Sequence, residues 1–228
     1  MSCPPPLPPD EEYLLCRIHA QVESRVRVAN FVSSAKNERL AALRRDLEFE
    51  DELLGQPMRF RTTWGLFSPR HIDDGTRLLL ANLTVTLDDV VLDLGCGYGP
   101  IGLAIAKTAP QGSCLLIDKD FVAVEYARRN AQLNGVGNAE VLLSNGFDQI
   151  GPKKFSLIVS NLPAKSSNEQ YELFFHDAWQ HLRPHGRIVL VSISGIREFI
   201  ARNLRDVFGN YEKLKQGKAY TVACSVRS

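Results

Sequence analysis

Residues 90–106, "VVLDLGCGYGPIGLAIA", pass from an apolar, β-branched segment through alternating glycines into apolar residues at helical spacing. This is a strand, a turn and a helix. Glycine at such a junction lets the backbone turn sharply and approach a ligand closely, and the helix start beyond it offers N–H groups without partners. A bound cofactor is the expectation.

Two fingerprints overlap in this loop. Gly97-Tyr98-Gly99-Pro100-Ile101-Gly102 satisfies GxGxxG, the dinucleotide pattern, and Asp118 ends the next strand, where a ribose-binding carboxylate belongs. Asp93, however, stands two residues before Gly95, where a pyrophosphate would meet a negative charge, so the repeat reads D-x-G-x-G-x-G. An aspartate there suits a ligand with a cationic amino group.

Downstream, the apolar runs "SCLLID", "AEVLLSN", "FSLIVSN" and "RIVLVSI" read as strands, and "FVAVEYARRNAQLNG" and "YELFFHDAWQHL" as helices. Strands alternating with helices call for right-handed crossovers and a parallel sheet covered on both faces. A last helix, stopped by Gly209, leads into two strand-like runs around Gln216-Gly217. Upstream, Leu47–Phe67 shows short alternating runs broken by Gly-Gln-Pro, a hairpin pattern, and Asp73-Asp74-Gly75 marks the start of a short helix. Residues 3–9, "CPPPLPP", read as an extended lead-in, and Asp10 to about Arg45 as one or two amphipathic helices. The expected division is an extension over 1–46 and one α/β domain over 47–228.

The 228 residues suffice for one full core, and a net charge of +1 gives no overall attraction to nucleic acid or membrane. Any basic surface is therefore local. Cys3, Cys16, Cys96, Cys114 and Cys224 lack CxxC or Cys/His spacing, and His71, His176, His181 and His185 are dispersed, so neither disulfides nor a metal are expected. No apolar run approaches the roughly 20 residues that span a bilayer. A soluble, unexported protein in a reducing cytoplasm fits these features.

The glycine loop resembles that of the class I S-adenosyl-L-methionine-dependent methyltransferases, whose first motif is D-x-G-x-G-x-G at the end of the first strand. The resemblance sharpens to the "methyltransferase small domain" group, which includes ribosomal RNA guanine-N2 methyltransferases. It is carried by "GLFSPRHIDDGTRLLL" (Gly65–Leu80), "LDLGCGYGPIGLAIA" (Leu92–Ala106), "SNLPAK" (Ser160–Lys165) and the ending "DVFGNYEKLKQGKAYTVACSV", over about residues 47–228. It implies a Rossmann-like α/β fold: a mostly parallel seven-stranded sheet with a C-terminal antiparallel hairpin, here behind an N-terminal helical extension. It also implies that Asp93 orients the methionine end of the cofactor, that Gly95, Cys96, Gly97 and Gly99 pass beneath it, and that Asp118 holds the ribose hydroxyls. Phe67, Asp74 and Gly75 would close over it. Asn145 stands where many members carry an aspartate, and its side-chain oxygen can still accept from the adenine amine.

The same resemblance bears on "SNLPAK". An exocyclic base amine is a poor nucleophile because its lone pair is delocalised into the ring. The group's answer is an Asn-Pro-Pro-aromatic turn, whose asparagine oxygen and following carbonyl accept both amine hydrogens while the aromatic stacks the base. Asn161 keeps the acceptor beside the cofactor, Leu162 keeps a carbonyl while losing the first proline, Pro163 keeps the second proline, and Ala164 loses the ring. Loss of the ring weakens the hold on the base unless another replaces it, the candidates being Trp64, Phe67 and Tyr171; the alternative is that Lys165 meets a phosphate instead.

Residues 181–228 carry Arg183, Arg187, Arg197, Arg202, Arg205, Lys213, Lys215, Lys218 and Arg227 against Glu198, Asp206 and Glu212. That local excess can engage an RNA backbone. The leading expectation is an S-adenosyl-L-methionine-dependent N-methyltransferase acting on RNA, with guanine N2 of ribosomal RNA as target. The rivals are methylation of a small molecule or protein amide, and a non-catalytic cofactor-binding partner.

Overall fold

Apolar runs that alternate between two buried faces build the central sheet of the protein. The computed structural model describes residues 36–228. The proline-rich lead-in, most of the expected helical extension, and Cys3 and Cys16 lie outside the described residues. Residues 36–43 are helical and belong to a unit ending at Arg45; Asp46–Ser228 form a second compact unit.

The second unit opens with strands β1 (Leu47–Leu53) and β2 (Gln56–Thr62), an antiparallel pair of their own. Leu54 and Gly55, at φ 52° and 71°, form the two-residue turn, both with the positive φ of a turn whose twist matches the right-handed twist of the paired strands. A loop leads to helix α1 (Asp74–Ala81), after which strand and helix alternate: β3 (Val90–Leu94), α2 (Pro100–Thr108), β4 (Ser113–Asp118), α3 (Phe121–Leu133), β5 (Ala139–Leu143), β6 (Phe155–Asn161), α4 (Asn168–His181), β7 (Leu182–Ile193), α5 (Arg197–Phe208), β8 (Glu212–Gln216) and β9 (Tyr220–Val226).

The seven strands from β3 onward lie in the order β5-β4-β3-β6-β7-β9-β8, parallel except for β9, which runs against both neighbours. This is the expected α/β sheet with its C-terminal antiparallel hairpin. Successive residues serve opposite faces: Val91, Leu116 and Val189 pack with α1, α2 and α3, while Leu92, Ile117 and Ile188 pack with α4 and α5. Gly209, at φ 73°, stops α5 as expected. One strand differs from its expectation: β7 begins at Leu182, and Arg183–Gly186 bulge out between the pairs Phe155–Leu182 and Leu157–Arg187.

The chain leaves β3 toward β4 and β5, then returns to place β6 on the other side of β3. In open α/β sheets ligands bind where the strand order reverses, here outside the carboxyl ends of β3 and β6. Those two ends carry the glycine loop and Asn161.

Candidate active site

Past Leu94 the chain runs through Gly95, Gly97 and Gly99 at φ 73°, 57° and 96°, a backbone that strains any residue with a Cβ. The N–H groups of Gly95 and Cys96 both donate to the Ile117 carbonyl at 2.9 Å, which ties the loop to the end of β4. Asp118 completes the tie: its Oδ2 accepts from the Gly97 N–H and its Oδ1 from the Asp120 N–H, each at 2.9 Å. Cys96 is buried, and burial pushes its thiol well above the ordinary range. It is a packing residue of the turn.

Asp93 is 0% exposed. Its Oδ2 accepts from the Gly102 N–H at 2.8 Å, whereas its Oδ1 is buried with no hydrogen-bond partner among the described residues. Burial pushes this carboxyl up to about 7, opposed by the Gly102 N–H and assisted by the charge of Asp118. A buried acceptor left unpaired costs about 1–3 kcal/mol, so the site fits a ligand that brings its own donor. Gly102 is required here by close approach, since a Cβ would lie 2.8 Å from Asp93 Oδ2 and 2.6 Å from Leu116 Cγ.

Asn161 stands beside this loop. Asp93 pairs with Val159 across β3 and β6, so two residues further on Gly95 and Asn161 occupy neighbouring strand ends. The Asn161 Nδ2 donates to Asp73 Oδ2 at 3.0 Å and to Thr76 Oγ1 at 3.1 Å. Its Oδ1 has no hydrogen bond among the described residues. Asp73 is also the cap of α1, accepting through Oδ2 from the N–H groups of Gly75 at 2.9 Å and Thr76 at 3.3 Å, and the Tyr220 hydroxyl donates to its Oδ1 at 3.2 Å.

The turn after β6 is pinned despite its missing proline. Leu162 is only 4% exposed and its N–H donates to the Val191 carbonyl at 2.9 Å; the Tyr171 hydroxyl donates to the Pro163 carbonyl at 2.5 Å. Residues 63–72, between β2 and α1, are fastened to the glycine loop through the Tyr98 hydroxyl, which donates to the carbonyls of Ser68 at 3.2 Å and His71 at 3.4 Å. Leu66 and Ile72 anchor this strap in the core, while Trp64 and Phe67 remain 66% and 67% exposed.

The family described as "methyltransferase small domain" matches residues 57–224. The chain belongs to this family. Among curated proteins similar to this small-domain chain is the ribosomal RNA small subunit methyltransferase C of Hamiltonella defensa, 33% identical over 72% of this chain and 49% of that protein. Another is the uncharacterized protein YbxB of Bacillus subtilis, 29% identical over 75% and 86% respectively. Among solved structures, the T. thermophilus 16S rRNA N2 G1207 methyltransferase in complex with AdoMet and guanosine is similar at a TM-score of 0.73. It is 25% identical, over 80% of this chain and 51% of that one. The chain thus spans about half the length of the named ribosomal RNA methyltransferases.

Within this small-domain fold the expected site residues fall into three groups. Asp93, Gly95, Cys96, Gly97, Gly99 and Asp118 lie on the ends of β3 and β4, with Asn161, Leu162 and Pro163 beside them. Gly75 lies in the first turn of α1, where a Cβ would meet Asp73 Oδ2 at 2.8 Å and the Tyr220 ring at 3.0 Å. Asp74, Phe67 and Asn145 are exposed: Asp74 is the first residue of α1, Phe67 stands on the strap, and Asn145 donates from Nδ2 to Asp148 Oδ2 at 3.4 Å. That bond leaves the Asn145 oxygen available as an acceptor.

One expectation is corrected. Tyr171 cannot offer a stacking face, because it is 2% exposed, bonded to Pro163 and packed against the Phe199 ring at 5.9 Å. The residues missed are Asp73, Thr76 and Tyr220, which gather around Asn161. The Asp-Asp-Gly-Thr run held a signal for Asp73 and Thr76, since the side-chain oxygen of a cap accepts from the N–H two or three residues on, but none for Tyr220.

The basic excess is also partly absorbed by the fold. Arg187 bonds Asp89 and the Thr84 carbonyl, Arg197 bonds Glu198 and the Ser194 carbonyl, Arg202 and Arg205 lie over Phe199 and Tyr211, and Arg227 lies over Trp179. No helix among the described residues is long and apolar enough to cross a membrane.

Proposed function

We propose that this chain is an S-adenosyl-L-methionine-dependent N-methyltransferase of an exocyclic base amine in RNA, with guanine N2 of ribosomal RNA as target, working in the cytoplasm. The observation that carries the reading is the Asn161 amide: its Nδ2 is committed to Asp73 and Thr76, so its Oδ1 is left as an acceptor beside the glycine loop. Support comes from the named relatives, ribosomal RNA methyltransferases, and from a neighbour described with AdoMet and guanosine.

When bound, S-adenosyl-L-methionine supplies an electrophilic methyl group on a sulfonium centre. Asp93 Oδ1 fits its amino group, the glycines leave room beneath it, and Asp118 and Asn145 offer acceptors for its ribose and adenine. On the substrate side, Asn161 Oδ1 and the Leu162 carbonyl accept the two amine hydrogens, drawing density onto nitrogen as it turns pyramidal. Burial of Leu162 and the Tyr171–Pro163 bond hold that carbonyl's turn in the place of the lost proline. Holding the amine in line supplies the rest, and the surplus proton leaves after transfer without a strong base. Trp64 and Phe67, exposed on a strap fastened to the cofactor loop, are the rings on offer to the base that Ala164 does not grip. Such stacking is worth about 1–3 kcal/mol per base.

The test is transfer of tritiated methyl groups to ribosomal RNA and to isolated subunits. An Asn161→Ala protein is expected to bind the cofactor normally and to label RNA about 100-fold more slowly, as for loss of one charge-stabilising hydrogen bond. Equal labelling rates would refute the mechanism. Label in protein or small molecules but not RNA would refute the substrate.

A further inference from the structure

We propose that Asp73 is a positioning residue for methyl transfer: its carboxylate selects which end of the Asn161 amide faces the substrate. The inference rests on the reading of Asn161 as the amine acceptor. The two ends of a primary amide are nearly identical in shape and opposite in polarity, so packing alone cannot choose between them. A carboxylate can. It only accepts, so the amide end that meets Asp73 Oδ2 at 3.0 Å must be the NH2 group. The oxygen is thereby turned to the other side, where no described group bonds it. With the amide reversed, Asn161 would aim two donors at an amine that also carries donors, and the nitrogen would gain nothing.

Asp73 is itself held on several sides. Its Oδ2 takes the N–H groups of Gly75 and Thr76, and its Oδ1 takes the Tyr220 hydroxyl at 3.2 Å. Tyr220 opens β9 opposite Ile193, the last residue of β7, so the start of a helix and the ends of two more elements meet at one carboxylate. Gly75 permits the meeting, because a Cβ there would lie within 3.0 Å of the Tyr220 ring and 2.8 Å of the carboxylate. A helix cap needs only the two N–H bonds. The bonds to Asn161 and Tyr220 lie beyond that duty, and they point the residue at the site.

Two substitutions separate positioning from capping, because Asn and Ser cap a helix about as well as Asp. Asp73→Asn keeps an oxygen where Oδ2 stands, able to accept from the backbone and from Asn161, with its own NH2 toward the Tyr220 oxygen. Asp73→Ser keeps the cap and withdraws the acceptor from Asn161. In the full chain, with ribosomal RNA as substrate, Asp73→Ser is expected to lower kcat by about 10- to 100-fold at unchanged cofactor affinity and melting temperature. Asp73→Asn is expected to restore most of it. A parental kcat in the Asp73→Ser protein, or an Asp73→Asn protein as slow as it, overturns the proposal. A second readout needs no turnover: the Asn161 side-chain NH2 protons, assigned by their loss in Asn161→Ala, should exchange with water about tenfold faster in the Asp73→Ser protein than in the other two. If all three exchange alike, positioning is refuted even should the parent methylate nothing. If exchange behaves as expected while the parent labels no RNA, the functional reading fails and the geometric one stands.

Discussion

Asp93 is a carboxyl group with one oxygen satisfied and one stranded, in a place no water-exposed charge would choose. Its folded titration near 7 lies well above the roughly 4 of an unfolded aspartate. Between those values the native state holds a proton that the unfolded state has released, so this group's contribution to stability falls as pH rises from about 4 through 7. A ligand with a cationic amino group reverses the preference, because it binds the ionised form. Affinity for S-adenosyl-L-methionine is therefore expected to rise as pH approaches about 7 and to fall again once the ligand's own α-amino group loses its proton at about 8, with proton release below that point measurable by calorimetry in buffers of different ionisation heat. The Asp93→Asn protein should bind more weakly and lose the rise; an unchanged pH profile would place the amine elsewhere. Asp93 and the glycines were legible in sequence because backbone geometry and charge each restrict a position to few residue types. Asp73 was not. Asp73-Asp74 offers two carboxylates, and which one caps depends on where the strap leaves the core at Ile72, while Tyr220 lies 147 residues away.

The hairpin of β1 and β2 is joined to the domain by a device that side-chain amides make possible. Asn130 Oδ1 accepts from the Arg61 N–H at 2.7 Å and its Nδ2 donates to the Arg61 carbonyl at 3.0 Å; Asn134 does the same for Arg59 at 2.9 and 2.7 Å. One helical turn of α3 spans about 5.4 Å and two strand residues about 6.6 Å, near enough for two amides to act as a missing strand. Asn130 does more, since its Nδ2 also donates to the Tyr98 carbonyl at 2.9 Å and so braces the glycine loop. Replacing the buried Asn130 by Ala should destabilise the protein by about 2–4 kcal/mol in urea unfolding and weaken cofactor binding, because buried partners lose their bonds. Asn134→Ala, at the C-cap of α3 and nearer solvent, is expected to cost less, about 1 kcal/mol, and to leave the cofactor alone. Equal effects of the two would dissolve the link between hairpin and loop. In "FVAVEYARRNAQLNG" these asparagines read as the fraying end of a helix; only the hairpin, packed from afar, gives them partners.

Taken over the whole domain, the positive charge is divided between two ends of the sheet, and only one of them carries Asn161. Arg183 follows Leu182, which pairs with the first residue of β6, and Arg227 follows Val226 at the close of β9, so both sit at the end opposite Asn161. Lys215 and Lys218 flank the turn between β8 and β9, where Gln216 pairs with Thr221 next to Tyr220, on the Asn161 side. Lys165 is exposed four residues beyond Asn161, and Arg70 is exposed on the strap. A net charge of +1 cannot hold RNA by its overall field, so the proposed RNA binding would rest on this rim. Composition shows the excess of the C-terminal region but not its partition, because which arginines turn inward is decided by the acids, carbonyls and rings that folding brings to them. Removing one phosphate-binding cation should reduce the slope of log affinity against log salt by about 0.7–0.9. Anisotropy titrations of labelled ribosomal RNA fragments between about 50 and 200 mM salt are expected to show that reduction for Lys165→Gln and for Lys218→Gln, and no change for Arg183→Gln. Were Arg183→Gln to flatten the slope as much as the rim variants, RNA would have to approach the domain from the end remote from Asn161. Base methylation at Asn161 would then require a chain long enough to wrap the sheet.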